Sequence, residues 1–166
     1  MGFMGMIFVT LGTSPYPFNR AIQWLEELHD RGILARDRLT IQYGNSKLAK
    51  ALARHPQISV EATLPPDRFV ETVRRSQLVI SHAGQGSAFM LAKQGASFVL
   101  LPRLAEYGEH VDNHQLWFAQ RVEKFGVRMC VNLEQLAAAV VSPPPPADKD
   151  FLHGPLLADH LIRAYS

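Results

Sequence analysis

Among 166 residues there is one cysteine, Cys130, so no disulfide can form within the chain and a reducing cytoplasm is its simplest setting. Charge of neither sign dominates: 17 Lys and Arg stand against 15 Asp and Glu, and the basic residues are dispersed rather than gathered into a stripe. A net charge of +2 therefore supplies no electrostatic footprint for nucleic acid. Long hydrophobic runs are missing too, and no stretch approaches the roughly 18 apolar residues needed to cross a bilayer. The opening MGFMGMIFVTLGTS has no basic leader, and its apolar run breaks at Gly12. It reads as the first strand of a fold rather than a signal peptide, with Met6 a candidate natural start. The G-x-G-x-x-G fingerprint is absent after that strand, which disfavours a nicotinamide-dependent oxidoreductase.

What is present fits one soluble domain: the hydrophobic content is 47%, and the length allows a full core but not two domains. Hydrophobic periodicity predicts strands at 6–11, 39–43, 58–62, 78–82, 97–101 and 127–131, with helices at about 17–31, 67–76, 87–94, 111–125 and 133–141. This alternation predicts an α/β fold, a Rossmann-like, doubly wound and mostly parallel sheet with helices on both faces. Ile22, Leu25 and Leu28 share one helix face, a core stripe. Residues 142–150, SPPPPADKD, cannot continue a helix and read as a semi-rigid linker between a body over 1–141 and a C-terminal amphipathic helix over 151–166. In that helix Leu157, Leu161, Ala164 and Tyr165 fall on one face. Asp148 and Asp150 form a D-x-D pattern but read as solvated linker charges, and Cys130 as a small buried apolar group.

The densest chemistry lies at SHAGQGSAFMLAKQGASFVLLPRLAEYGEHVDNHQ. After the strand Leu78 to Ile80, Gly84 and Gly86 allow a sharp turn and close backbone approach to a ligand, and Ser87 is a candidate cap for the next helix. Free N–H groups and the dipole at such a helix start suit a diphosphate; the alternative is a tight turn binding nothing. Beyond Pro102 follow Arg103, Glu106, Glu109, His110, Asp112, Asn113, His114 and Gln115, a polar rim just past a strand's carboxyl end. Asp112 or Asn113 can cap the next helix. His110 is either an acid–base group near neutral pH or a hydrogen-bonding loop residue. Gly12, Thr13 and Ser14, after the first strand, suit close approach to a ligand or a plain turn with Ser14 as cap.

Together VTLGTS, HAGQGS, LPR, GEHVDNHQ and a following FG resemble the C-terminal, nucleotide-sugar-binding half of GT-B glycosyltransferases of the family 28 type. They are most similar to the soluble subunit of two-subunit transferases, the exopolysaccharide glucuronosyltransferase type and the related N-acetylglucosaminyltransferase subunit of dolichol-linked glycan assembly. The resemblance covers about residues 6–130. It implies that His82, Ala83, Gly84, Gly86 and Ser87 bind the diphosphate of a UDP-sugar, that backbone groups near Thr63 and Leu64 read uracil, and that His114 and Gln115, preceded by Asn113, lie near the donor sugar. Gly12, Thr13 and Ser14 would face the interdomain cleft. Arg103 would pair a glucuronate carboxylate, or else form a surface ion pair with Glu106 or Glu109. Met90 replaces the glutamate with which many such enzymes hold the ribose, so ribose recognition must differ here. The implied function is an inverting transfer from a UDP-sugar to a lipid-linked saccharide acceptor in bacterial polysaccharide assembly, without a metal or other cofactor. A membrane-anchored, acceptor-binding partner subunit would hold the chain at the inner face of the membrane, and the chain alone would be inactive. The competing reading is a non-catalytic sugar-nucleotide sensor.

Overall fold

In a computed structural model describing residues 5–34 and 36–153, the runs of branched and aromatic residues form six strands in the order β3-β2-β1-β4-β5-β6. They are β1 (Met6–Thr10), β2 (Arg38–Gln42), β3 (Ile58–Glu61), β4 (Leu78–His82), β5 (Phe98–Leu101) and β6 (Arg128–Met129). Every pairing between them is parallel. The sheet is thus all parallel where a mostly parallel one was expected, and its order is that of the doubly wound dinucleotide fold. Parallel strands buried on both faces need apolar residues at successive positions, as Ile7, Phe8 and Val9 provide. Ile7, Val9, Leu78, Ile80, Val99 and Leu101 enter one core; Phe8, Val79, Phe98 and Leu100 enter the other, because successive side chains point to opposite faces.

The first core is closed by α1 (Asn19–Asp30) and α5 (Leu133–Val141), the second by α2 (Pro66–Arg75), α3 (Gln85–Lys93), α4 (His114–Val122) and the short α6 (Asp150–His153). Ile22, Leu25 and Leu28 are buried as their spacing predicts. The helix α1 starts later than expected, and its entry is fixed from elsewhere: Phe18 N donates to Ser46 Oγ at 2.7 Å. A 3-10 helix over Lys47–Arg54 was not expected. It buries Ala49 and Leu52, three apart, which suits a three-residue turn but leaves too few apolar positions to announce itself.

The proline segment itself packs on the body. Pro144 is buried and its carbonyl accepts from Ser97 Oγ at 2.6 Å, while Asp148 N donates to Phe125 O. Phe151, fully buried, stacks on Phe89 with ring centroids 4.7 Å apart. Leu157, Leu161, Ala164 and Tyr165 lie outside the described residues.

Candidate functional site

A doubly wound sheet opens a crevice where the chain changes winding direction, here between β1 and β4 at their carboxyl ends. The last rungs turn polar there, with Thr10 opposite Gln42 on one side and Ser81 on the other. Above them lies a cleft of about 270 Å³ lined by Thr10, Gly12, Thr13, Gln42, Thr63, Leu64, Phe69, His82 and Ser87. Of the expected residues, Gly12, Thr13, Thr63, Leu64, His82 and Ser87 therefore share one cavity.

The fold decides how this cavity is built. Gln42 joins three strand ends through one amide: its oxygen accepts from Thr10 Oγ1 and Gly12 N, and its Nε2 donates to Gly12 O and Ala62 O. Thr10, Gln42 and Phe69 escaped the reading of the sequence. A polar glutamine closing the apolar strand β2 was the available signal. Gly12 has φ +75°, which favours glycine, and an added Cβ would fall 2.7 Å from His82 Nε2.

The glycine turn differs from expectation. Gly84 has an ordinary φ of −73°, so no sharp turn requires it. A Cβ there would fall 2.4 Å from His82 Cε1, so Gly84 makes room for the imidazole rather than for a ligand. At Gly86 a Cβ would meet nothing, which leaves the first turn of α3 open to approach. The helix begins at Gln85, with Gly84 at the cap and no side-chain cap bond. Ser87 thus lies inside α3 and caps nothing; its Oγ lies 3.4 Å from His82 Nε2. Helix geometry leaves the N–H groups of the first turn without intrahelical acceptors, and α3 aims the positive end of its dipole from this position.

His82 sits between Gly12 and Gly84. Burial first, then the neighbouring Arg103 and His110, push its pKa down to about 4, so it is neutral near pH 7. Gln115, only 7% exposed, accepts from Ala83 N and Arg103 N through Oε1, both at 3.1 Å. Its Nε2 lies 3.2 Å from His82 Nδ1. Gln115 thus ties Ala83, Arg103 and His82 together through one amide, and Ala83 N–H is engaged within the protein.

Arg103 is not at the surface. It is 1% exposed, and its guanidinium donates to Tyr16 O, Glu109 O and Leu11 O beneath the Phe18 ring. Burial lowers its pKa to about 10, opposed by nearby Glu109, and it stays charged at neutral pH. The expected pairing with a ligand carboxylate, or with Glu106 or Glu109 at the surface, is replaced by a staple that ties the loop after β1 to the loop after β5. The Glu109 carboxylate is held instead by Arg20 at 2.9 and 3.0 Å and by Leu104 N. Asn113 stands at the cap position of α4 but makes no cap bond; its Oδ1 accepts from Ala105 N. Asp112 Oδ1 accepts from His114 N and lies 3.2 Å from His110 Nδ1. His114 is exposed, with Nε2 3.4 Å from Gln85 Nε2 across the mouth of the turn. Ser14 does not cap α1; its Oγ accepts from Tyr16 N and its carbonyl from Asn45. Cys130 is buried, and burial raises its pKa to about 11, so it is no thiolate nucleophile. Among the described residues no cluster of His, Cys, Asp or Glu could hold a metal ion, and no helix is long and apolar enough to cross a membrane.

Sheet order, winding and a helix start facing the switch-point cleft define a Rossmann-like α/β domain with an anion-receptive crevice. Residues 6–144 match the glycosyltransferase family 28 C-terminal domain, and the chain belongs to that family. It is 26% identical over 124 residues to the UDP-N-acetylglucosamine transferase subunit ALG13 of Homo sapiens, a match covering 74% of this chain but 11% of that protein. A solved glycosyltransferase of kitacinnamycin shares the fold at a TM-score of 0.64 and 22% identity, over 84% of this chain and 34% of that one. The chain thus spans a minor part of each of these proteins.

Proposed function

We propose that this domain binds the donor of a glycosyl transfer, a UDP-sugar, with the diphosphate at the start of α3 and the uracil against the backbone near Thr63 and Leu64. The observation that carries the reading is that His82 and Ser87, the latter in the first turn of α3, line one cleft with Thr63 and Leu64. Donors aimed at a departing diphosphate stabilise it without a metal. Family membership and a relative named as a transferase subunit support a second protein that completes the cleft. That partner would be membrane-anchored, would bind a lipid-linked saccharide acceptor and could supply the general base for an inverting attack. The chain would then act at the membrane's inner face, in bacterial polysaccharide assembly, and be inactive alone. Glucuronate as the sugar loses its support, because Arg103 faces inward.

Isothermal titration of the chain with UDP tests the site. Binding by the wild type and its loss in Gly86→Val are expected, since side-chain bulk would fill the open approach to the first turn. A folded Gly86→Val that binds UDP like the wild type would place the site elsewhere.

A further inference from the structure

We infer that Gln115 is a positioning residue that holds His82 as the neutral tautomer with its proton on Nε2, setting a fixed hydrogen-bond donor on the cleft wall. The orientation of the Gln115 amide is determined by its neighbours. One end receives Ala83 N–H and Arg103 N–H, each at 3.1 Å, and a backbone N–H can only donate. That end must be the carbonyl oxygen, since the reverse orientation would set an NH₂ group against both buried donors. The other end is then the NH₂ group, which also only donates, and it lies 3.2 Å from His82 Nδ1. His82 Nδ1 must therefore offer its lone pair. In a neutral imidazole this leaves the proton on Nε2, the nitrogen that stands 3.4 Å from Ser87 Oγ and beneath Gly12.

The surrounding charges favour the neutral ring. The guanidinium of Arg103, charged at neutral pH, disfavours an imidazolium at His82. The nearby carboxylate of Glu109 is taken up by Arg20 and Leu104 N, and Asp112 pairs with His110. A lone pair at Nε2 would repel phosphate oxygens, whereas an N–H there completes a wall of donors with Ser87 and the first turn of α3. The consequence for phosphate binding rests on the proposed function; the tautomer does not. Through this contact α4 acts on the cleft indirectly, by selecting the protonated nitrogen of a residue on β4.

Two-bond ¹H–¹⁵N correlation spectra of the full labelled chain, free of ligand at pH 7.5, test the inference, with His82 assigned by comparison with His82→Gln. The expected spectrum shows a protonated Nε2 and an unprotonated Nδ1. A proton on Nδ1, or an imidazolium, would overturn the inference without any variant. Gln115→Glu keeps an oxygen for the backbone donors but places an acceptor at Nδ1. The pKa of His82 should then rise by more than one unit from its value of about 4. Above that new pKa the neutral ring should carry its proton on Nδ1. Affinity for UDP, taken as a ratio to wild type at each pH so that the ligand's own titration cancels, should fall about tenfold as pH rises through the new pKa. An unchanged tautomer and pKa in a folded Gln115→Glu would also overturn the inference. If wild-type chain does not bind UDP, the assignment of the cleft fails and the spectra still decide the tautomer.

Discussion

Replacing Gly84 by alanine adds one methyl group, and the structure says where it must go. The new Cβ would lie 2.4 Å from His82 Cε1, so the imidazole must retreat by about 1 Å to reach ordinary contact. Gln115 Nε2, 3.2 Å from Nδ1, opposes that retreat. Overpacking of this kind costs about 1–3 kcal/mol. For a chain of this size that lowers Tm by about 2–12 °C, and it should shift the His82 ring signals and weaken UDP binding. Gly86→Ala is the control. Its Cβ would meet no atom within 4 Å, and alanine in a helix is favoured over glycine by roughly 0.5–1 kcal/mol, so Tm should hold or rise. Differential scanning fluorimetry on both variants decides the matter. Equal Tm values for the two, or a Gly84→Ala protein with unmoved His82 signals, would refute the account of why glycine stands at position 84.

Phe151→Ala should lower stability by about 3–5 kcal/mol in denaturant titrations, because the ring is fully buried against Phe89 and Phe125; an unchanged midpoint would show that α6 does not belong to the core. Arg103→Lys keeps the charge but loses the fork that serves Leu11 and Tyr16 carbonyls, and should cost about 2–4 kcal/mol. Under the proposed function, any loss of binding should be equal for UDP-glucuronate and UDP-glucose, and a selective loss for glucuronate would restore Arg103 as a ligand contact. Stability should also fall with acid: His82 in the folded chain titrates near 4, below its unfolded value of 6.5, so the unfolded state takes the proton first as pH drops. The stabilisation from this group is complete above pH 6.5 and lost between about 6.5 and 4, a change of up to about 3 kcal/mol that His82→Gln should remove from the pH profile.

The strands, their alternation with helices and the Rossmann-like class were legible in the sequence because they rest on local apolar runs and turn residues. Family membership was legible because several short motifs recur in one order. The cleft was legible in part: Gly12, Thr13, Thr63, Leu64, His82 and Ser87 do line it, since residues after the carboxyl ends of neighbouring parallel strands must meet. What each side chain does there was not. Arg103 read as the partner of a ligand carboxylate or of a surface glutamate, and the carbonyls of Leu11 and Tyr16, far away along the chain, that converge on its guanidinium were not legible. Gln115 read as a sugar ligand, and the two strand-end N–H groups that take its oxygen were not legible; Gly84 read as a ligand-approach residue, and the His82 ring beside it was not legible either. Periodicity and turn chemistry act between near neighbours and are written along the chain. The partners that satisfy a buried charge or amide come from whichever segments the fold brings together, and only the tertiary structure contains that choice.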